Sequence, residues 1–201
     1  MKRLRSALSL LIVFTVLMSF AGCGHTSRRS RRSDRDRDRD REETTETTED
    51  LVCETDFGTY TIGYGWVEVE AQRNAPDNYT YCEAGNEDSR TPPNNLWVSH
   101  GTNYYAIDEG DDFCTAILQQ VHGQAAQFGG TAQMTEYGTF GENEVYRFDL
   151  VCEDFTTIQW YVVGDYEYVM FSLAIYDEDE AEDDHCMDVA EDAVNSFEWN
   201  S

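Results

Sequence analysis

Apolar and polar residues divide this chain into three zones. Ala7 to Phe20 is an apolar run broken only by Ser9, Thr15 and Ser19, and positions 24–50 contain no aliphatic or aromatic residue. From Leu51 onward, short segments alternate apolar and polar positions. The pattern predicts a hydrophobic leader, a polar tether with nothing to bury, and one globular domain over 51–201.

The alternating segments predict an antiparallel sheet, because side chains in a strand point to opposite faces with a period of two. Gly164-Asp165, between the last two segments, is typical of a tight hairpin turn. Several segments are apolar at both phases of the alternation, which indicates a sheet covered on both faces. The predicted strands are 57–62, 67–70, 78–82, 95–99, 146–152, 158–163 and 169–175.

Two segments have the period of a helix instead. Between 111 and 128 apolar residues recur at spacings of four and three, and Gly129-Gly130 follows as a stop signal. A second stripe runs from Cys186 to Phe197, behind a cluster of acids that suits a helix N-terminus. The order of elements predicts an α+β fold, with an antiparallel sheet of about six or seven strands flanked by two main helices.

Two short motifs add a family resemblance. Tyr60-Thr61-Ile62 runs into Tyr64-Gly65-Trp66, and the last predicted helix closes with Ala193-Val194-Asn195-Ser196-Phe197. Over about 55–199 the chain resembles the Mog1/PsbP-like family, although Gly65 stands where that family often has proline. The resemblance implies an α/β/α sandwich and an accessory, protein-binding role; some members assist photosystem II or bind a small GTPase. It supplies no catalytic residues.

The N-terminus has the layout of a signal peptide. Lys2, Arg3 and Arg5 precede an apolar run of 14 residues, shorter than the roughly 20 that a membrane-spanning helix needs. Phe20-Ala21-Gly22-Cys23 resembles the lipobox of bacterial lipoproteins, with Phe20 where an aliphatic residue is usual. The resemblance implies a signal peptide over 1–22, lipidation of Cys23, and anchoring on the extracytoplasmic face of the cell membrane. The alternative is an ordinary secretory signal followed by a chance cysteine.

Charge is distributed very unevenly along the chain. The formal net charge is −26, yet eight arginines lie within 28–41, and positions after 50 carry 31 acids against three arginines and no lysine. Nucleic acid is therefore not expected as a partner, because binding phosphates requires clustered basic residues. Positions 23–50 are predicted to form a lipidated, disordered tether. Its proximal arginines either lie on anionic lipid headgroups or belong to a plain soluble spacer.

Five cysteines follow the lipobox. An extracytoplasmic location is oxidising, so two disulfides and one free thiol are predicted, with the pairing open. Three of the five lie on apolar faces and could instead be small buried hydrophobic residues. The sequence contains no Cys-x-x-Cys motif, so a zinc site is not expected. The candidate disulfide cysteines are Cys53, Cys82, Cys114, Cys152 and Cys186.

Two acidic runs, 108–112 and 177–184, are candidates for binding calcium, which prefers six to eight hard oxygen ligands. Neither run matches an EF-hand loop, and the alternative is solvated loops with acids that cap a helix. No other cofactor is expected. The candidate metal ligands are Asp177, Asp179, Asp183 and Asp184.

No catalytic fingerprint is present: the chain lacks Gly-x-Ser-x-Gly, a Walker loop, His-Glu-x-x-His and a dinucleotide motif. We therefore predict a non-catalytic binding or assembly module at the cell surface, for an unknown surface protein or glycan. A calcium-binding domain is one alternative, and an enzyme of unknown class is another. Exposed aromatic residues would supply the contact, unless they serve cross-strand packing. The candidates are Tyr64, Trp66, Trp97, Tyr104 and Tyr105.

Overall fold

The computed structural model describes residues 49–73, 75–88, 93–176 and 180–200. The strands are β1 (Leu51–Glu54), β2 (Gly58–Ile62), β3 (Trp66–Glu68), β4 (Asn78–Glu83), β5 (Asn95–Thr102), β6 (Thr131–Phe140), β7 (Asn143–Val151), β8 (Thr156–Val163), β9 (Glu167–Ile175) and β10 (Glu198–Trp199). The α-helices are α1 (Gly110–Gln127) and α2 (Glu180–Asn195), and short 3-10 helices span Glu70–Gln72 and Ile107–Glu109.

The described strands form two antiparallel sheets. Seven strands lie in the order β3-β4-β5-β9-β8-β7-β6, and three lie in the order β1-β2-β10. The predicted α+β fold is confirmed, and the small second sheet adds to it. Neither described helix is long and apolar enough to cross a membrane.

The two faces of the large sheet are covered by different elements. On one face Trp160 and Phe171 pack with α2 and with Tyr60 of β2. On the other face Phe148 and Tyr161 pack against Phe113 of α1. Seven of the eight residues of β8 and eight of the nine of β9 are buried. The central strands are therefore apolar on both faces because both faces are covered, as the pattern predicted.

Helix α1 ends where the two glycines predicted. Gly129 has φ +70, a conformation that glycine adopts without a steric penalty. The N–H of Gly130 donates to the carbonyl of Ala125 at 2.8 Å, and that of Gly129 donates to Ala126 at 3.4 Å. This pair of hydrogen bonds is a Schellman motif, which satisfies carbonyls that the helix leaves unpaired.

Three strands were missed by the sequence pattern: β1, β6 and β10. β6 is an edge strand with one buried residue, Ala132, so it lacks the clear alternation of a half-buried strand. The hairpin turn also lies one residue later than predicted. Val163 pairs with Tyr168, and the N–H of Gly164 donates to Glu167, which leaves 165 and 166 as the turn.

The predicted signal peptide and most of the tether, including Cys23, lie outside the described residues. The last two residues of the predicted tether, Glu49 and Asp50, are described. Asp50 Oδ1 accepts a hydrogen bond from the backbone N–H of Tyr64 at 3.0 Å.

Two glycines in and beside α1 give a matched test of the packing. A Cβ at Gly130 would overlap the Val151 carbonyl and lie 2.8 Å from Cys152 Sγ, whereas one at Gly123 would meet nothing within 4 Å. Gly130→Ala is expected to destabilise the protein by roughly 1–3 kcal/mol through overpacking. Gly123→Ala is expected to stabilise it by about 0.5–1 kcal/mol through helix propensity. Urea unfolding followed by circular dichroism measures both, and equal effects of the two variants would contradict the packing.

Candidate functional site

A group of exposed apolar side chains lies where β5 and β8 end and β9 begins. Tyr104 is 71% exposed, Ile107 52% and Tyr166 54%. Tyr104 and Ile107 belong to the connection between β5 and α1, and Tyr166 lies in the turn between β8 and β9. We call these three residues the end patch.

Hydrogen bonds join the two segments of the end patch. The backbone N–H of Asn103 donates to the carbonyl of Tyr166 at 2.8 Å, and the N–H of Tyr166 donates to the carbonyl of Tyr105 at 3.0 Å. The Asn103 side chain donates to the Glu167 carbonyl at 3.2 Å and accepts from the N–H of Tyr105 at 2.7 Å. Tyr104 is thus held beside Tyr166 by bonds on both sides of it.

Tyr105 anchors the first segment to the core. Its ring makes an edge contact with Phe113 of α1, with ring centroids 6.1 Å apart, and it packs against the cluster beneath that helix. Tyr104 and Tyr105 therefore have different roles. Tyr105 fixes the loop, and its neighbour faces solvent.

Tyr166 has φ +64. Within the described ranges no other residue except glycine has a positive φ. A bulky residue in this conformation costs roughly 1–3 kcal/mol, and such strain persists where the surrounding structure fixes it. Here the backbone hydrogen bonds to Asn103 and Tyr105 fix it.

Arg147 is fully engaged inside the fold. Its guanidinium bonds Asp149 at 2.9 Å and Glu191 of α2 at 3.4 Å. It also lies 5.4 Å from the ring centroid of Trp160, within the range of a cation–π contact. Its side chain is mostly buried, so the charge is not available to an anionic ligand.

Arg73 is engaged as well. Its guanidinium is 3.0 Å from Glu68 and 4.4 Å from the ring centroid of Tyr79. Arg73 and Arg147 are the arginines within the described ranges, and the sequence has no lysine after Lys2. The described surface therefore presents many carboxylates and no unengaged arginine or lysine.

The histidines do not form a catalytic arrangement in the described part of the chain. His100 Nε2 lies 2.9 Å from Glu167, and its ring stacks on Phe57 with centroids 5.1 Å apart. His122 and His185 are exposed on the two helices. No serine, threonine or cysteine among the described residues is hydrogen-bonded to a histidine, which the activation of a nucleophile by a base requires.

A small cleft opens between β3, β4 and α2. Its cavity volume is about 10 Å³, far below the roughly 300–1,000 Å³ of typical ligand pockets. Asn94 at its wall is already occupied, since its amide contacts Cys186 Sγ at 3.7 Å and its oxygen accepts from the N–H of Tyr176 at 2.7 Å. The cleft is lined by Trp66, Glu83, Asn86, Asn94, Glu182, His185 and Cys186.

The five aromatic residues predicted from the sequence as binding candidates lie apart in the structure. Trp66 is 2% exposed and belongs to the core, while Trp97 and Tyr105 are half-buried against the α1 side. Tyr64 is 63% exposed, but it precedes β3 at the end of the sheet where β5 begins, and Tyr104 lies beyond the other end of β5. The eight residues of β5 separate these ends by about 23 Å. The five residues thus do not form one surface.

Sequence reasoning missed two members of the end patch, Ile107 and Tyr166. Ile107 lies between Ala106 and a run of acids, outside the predicted strands and helices, so no periodicity marked it. Tyr166 could have been identified from the sequence. It follows Gly164-Asp165 in a hairpin, at a position where glycine or asparagine is usual. An aromatic residue at this turn position is unusual and indicates a candidate binding residue.

The predicted disulfides are not supported: Cys53, Cys82, Cys114, Cys152 and Cys186 are all free thiols. They lie on different elements. Cys186 packs in the same cluster as Tyr81, while Cys82, the next residue in β4, points to the opposite face of the sheet. Half-buried Cys114 on α1 instead contacts Met134 Sδ at 3.3 Å.

Burial keeps these thiols protonated. It raises the pKa of Cys82 and that of Cys186 from 9.0 to about 11 in each case, and nearby carboxylates add to the effect. Burial also raises the pKa of Cys53, against the opposing hydrogen bond from the Tyr81 hydroxyl. A thiol with a raised pKa carries less thiolate, so these cysteines are poor nucleophiles near neutral pH.

The predicted calcium ligands are only partly described. Asp183 and Asp184 lie in the N-terminal part of α2, and Asp177 and Asp179 lie outside the described residues. Within the described ranges, no group of three or more His, Cys, Asp or Glu residues is arranged to hold a metal ion. Calcium binding remains a prediction.

Comparison with known proteins supports the architecture. No protein-family profile matches the chain, and no curated protein sequence matches it. The solution structure of cyanobacterial PsbP (CyanoP) from Synechocystis sp. PCC 6803 matches with a TM-score of 0.52 at 13% identity, over 77% of this chain and 94% of that one. The domain has a PsbP-like fold.

A crystal structure from Bacteroides thetaiotaomicron VPI-5482 is less similar. Its TM-score is 0.39 at 11% identity, and the match covers 71% of this chain and 45% of that one. The PsbP-like solution structure confirms, for the fold, the resemblance read from Tyr60–Trp66 and from the end of α2.

The free thiols lead to a labelling test. In the full-length protein, maleimide is expected to react slowly with half-buried Cys53, Cys114 and Cys152 near neutral pH, and faster as pH rises, because their pKa values are raised. Cys82 and Cys186 are expected to react only after unfolding. Mass spectrometry of labelled peptides, with a dithiothreitol-treated control, measures this. A cystine-linked peptide under non-reducing conditions would contradict the free thiols.

Proposed function

We propose that the protein is a lipid-anchored, extracytoplasmic binding or assembly module without catalytic activity, and that its partner is a basic protein. The observation that carries the proposal is the charge arrangement. Carboxylates dominate the described surface, and both described arginines are engaged within the fold. Such a surface attracts a positively charged partner and repels acidic ones.

The N-terminal residues support the location. A cationic start, a short apolar run and Ala21-Gly22-Cys23 together resemble a lipoprotein signal, and the polar stretch after them contains nothing to bury. Two or three acyl chains on a cysteine would anchor the protein stably, whereas one chain alone is marginal. The acidic domain would then lie outside the membrane, where it can meet surface proteins.

Two observations support a role in binding rather than catalysis. The described histidines lack a nucleophile partner, and the cleft beside Cys186 is small with its asparagine already bonded. The thiols are held protonated by burial. No described side chain is therefore prepared to act as a nucleophile.

The anchor is tested at Cys23. Radiolabelled palmitate is expected to be incorporated into the wild type and not into Cys23→Ala, because the cysteine sulfur and the new N-terminus carry the acyl chains. The variant is expected to be released or to stay unprocessed. Cys152→Ala, which removes a half-buried thiol of the domain, is the matched control and should label normally. A processed Cys23→Ala protein that stays membrane-bound would refute the anchor.

Partner charge can be tested through the absence of lysine after Lys2. On intact cells, a carbodiimide should link carboxylates of the domain to lysines of a basic partner, whereas amine-to-amine crosslinkers should fail. The yield is expected to fall with added salt, because the Debye length shrinks from about 10 Å at 0.1 M to about 3 Å at 1 M. Mass spectrometry identifies the partner. An acidic partner, or a salt-independent yield, would contradict the proposal.

A further inference from the structure

We propose that the end patch, formed by Tyr104, Ile107 and Tyr166, is the docking surface for a lysine- or arginine-containing segment of a protein partner. The proposal rests on the proposed function and specifies where binding occurs. It also separates the end patch from Tyr64, which is as exposed but lies at the opposite end of the sheet.

The proximity of two exposed tyrosines is the first argument. Single exposed apolar side chains are normal on protein surfaces and need no explanation. Here two tyrosines from separate segments are brought together, because Tyr166 bonds the residues on either side of Tyr104. Ile107 follows three residues later in the same connection. Tyrosines in such a cluster are typical energetic centres of protein interfaces.

Rigidity is the second argument. The connection is fixed by the Asn103 side chain, which bonds both Tyr105 and Glu167, and by the packing of Tyr105 on Phe113. A surface that is already ordered loses little conformational entropy when it binds. A tyrosine adds a large contact area through only two rotatable side-chain torsions. The end patch is thus prepared for binding before a partner arrives.

Backbone strain is the third argument. Tyr166 has φ +64, and glycine or asparagine would take this conformation with less strain. The turn itself needs no aromatic side chain. Strain that is retained at an exposed position, where burial does not reward the side chain, points to selection for contact with another molecule.

Charge determines the class of partner. Asp108 and Glu109 directly follow Ile107, and Asp165 directly precedes Tyr166. A lysine or arginine can lay its apolar stem on the tyrosine rings and place its charge near these carboxylates. A neutral glycan could stack on the rings but would gain no Coulomb attraction from the surrounding acids. The combination favours a cationic protein segment.

The test places a photo-crosslinking amino acid, p-benzoylphenylalanine, at Tyr104 or, as the matched control, at Tyr64 in the full-length lipoprotein on intact cells. Peptides crosslinked from position 104 are expected to be rich in lysine or arginine, with none from position 64. Adding Tyr166→Gly to the Tyr104 probe should lower the crosslinking yield roughly fivefold or more. The thermal midpoint of Tyr166→Gly should be unchanged or higher, because the strain at φ +64 is relieved.

Each other result overturns the proposal in a distinct way. Crosslinking from position 64 alone, or a carbodiimide adduct at carboxylates remote from the end patch, would refute the end patch and leave the binding function standing. Adducts to a glycan would show that the ligand is a glycan and would refute the protein partner. If Tyr166→Gly lowered yield and thermal midpoint together, the tyrosine would be structural. No adduct from either position and none with carbodiimide would refute the end patch and the binding function together.

Discussion

The fold depends on covering both faces of the central strands β8 and β9. Trp160 and Phe171 need a cover on one side, and Tyr161 needs one on the other. Each large side chain removed from water contributes roughly 1.5–3 kcal/mol, so neither face can be left open. α2 with the small sheet covers the first face, and α1 covers the second. The loops that connect the large sheet to α1, α2 and the small sheet lie at the ends of the strands.

The end patch is a consequence of that arrangement. After β5 the chain leaves the sheet to form α1 on the face that carries Phe148 and Tyr161. The connection passes the turn between β8 and β9. There the backbones of Asn103 and Tyr105 form hydrogen bonds with the backbone of Tyr166. Packing thus explains the inward side chain of Tyr105, whereas the side chains of Tyr104 and Tyr166 are exposed to solvent.

The two described arginines stabilise the fold. Arg147 pairs with Asp149 of its own strand, β7, connects that strand to α2 through Glu191 and lies over Trp160, while Arg73 contacts Glu68 and Tyr79 near β3 and β4. With both described arginines engaged, the carboxylates set the character of the described surface. The same imbalance that argues against nucleic acid as a partner favours a basic one.

The sequence by itself determined the elements whose burial is complete or strictly one-sided. α1, α2, β4, β5 and β7 to β9 followed from periodicity, because their own side chains face the core. β6 and β1 could not be predicted, because edge strands are held by pairing with a neighbour rather than by their own apolar pattern. The cysteine count predicted disulfides, yet only tertiary structure places each thiol on its element and face. Tertiary structure also decided the site: Tyr104 was nominated, but its neighbour Tyr166 lies 62 positions further along the chain. Which aromatic residues meet at a surface depends on which loops cross, and local sequence does not encode that.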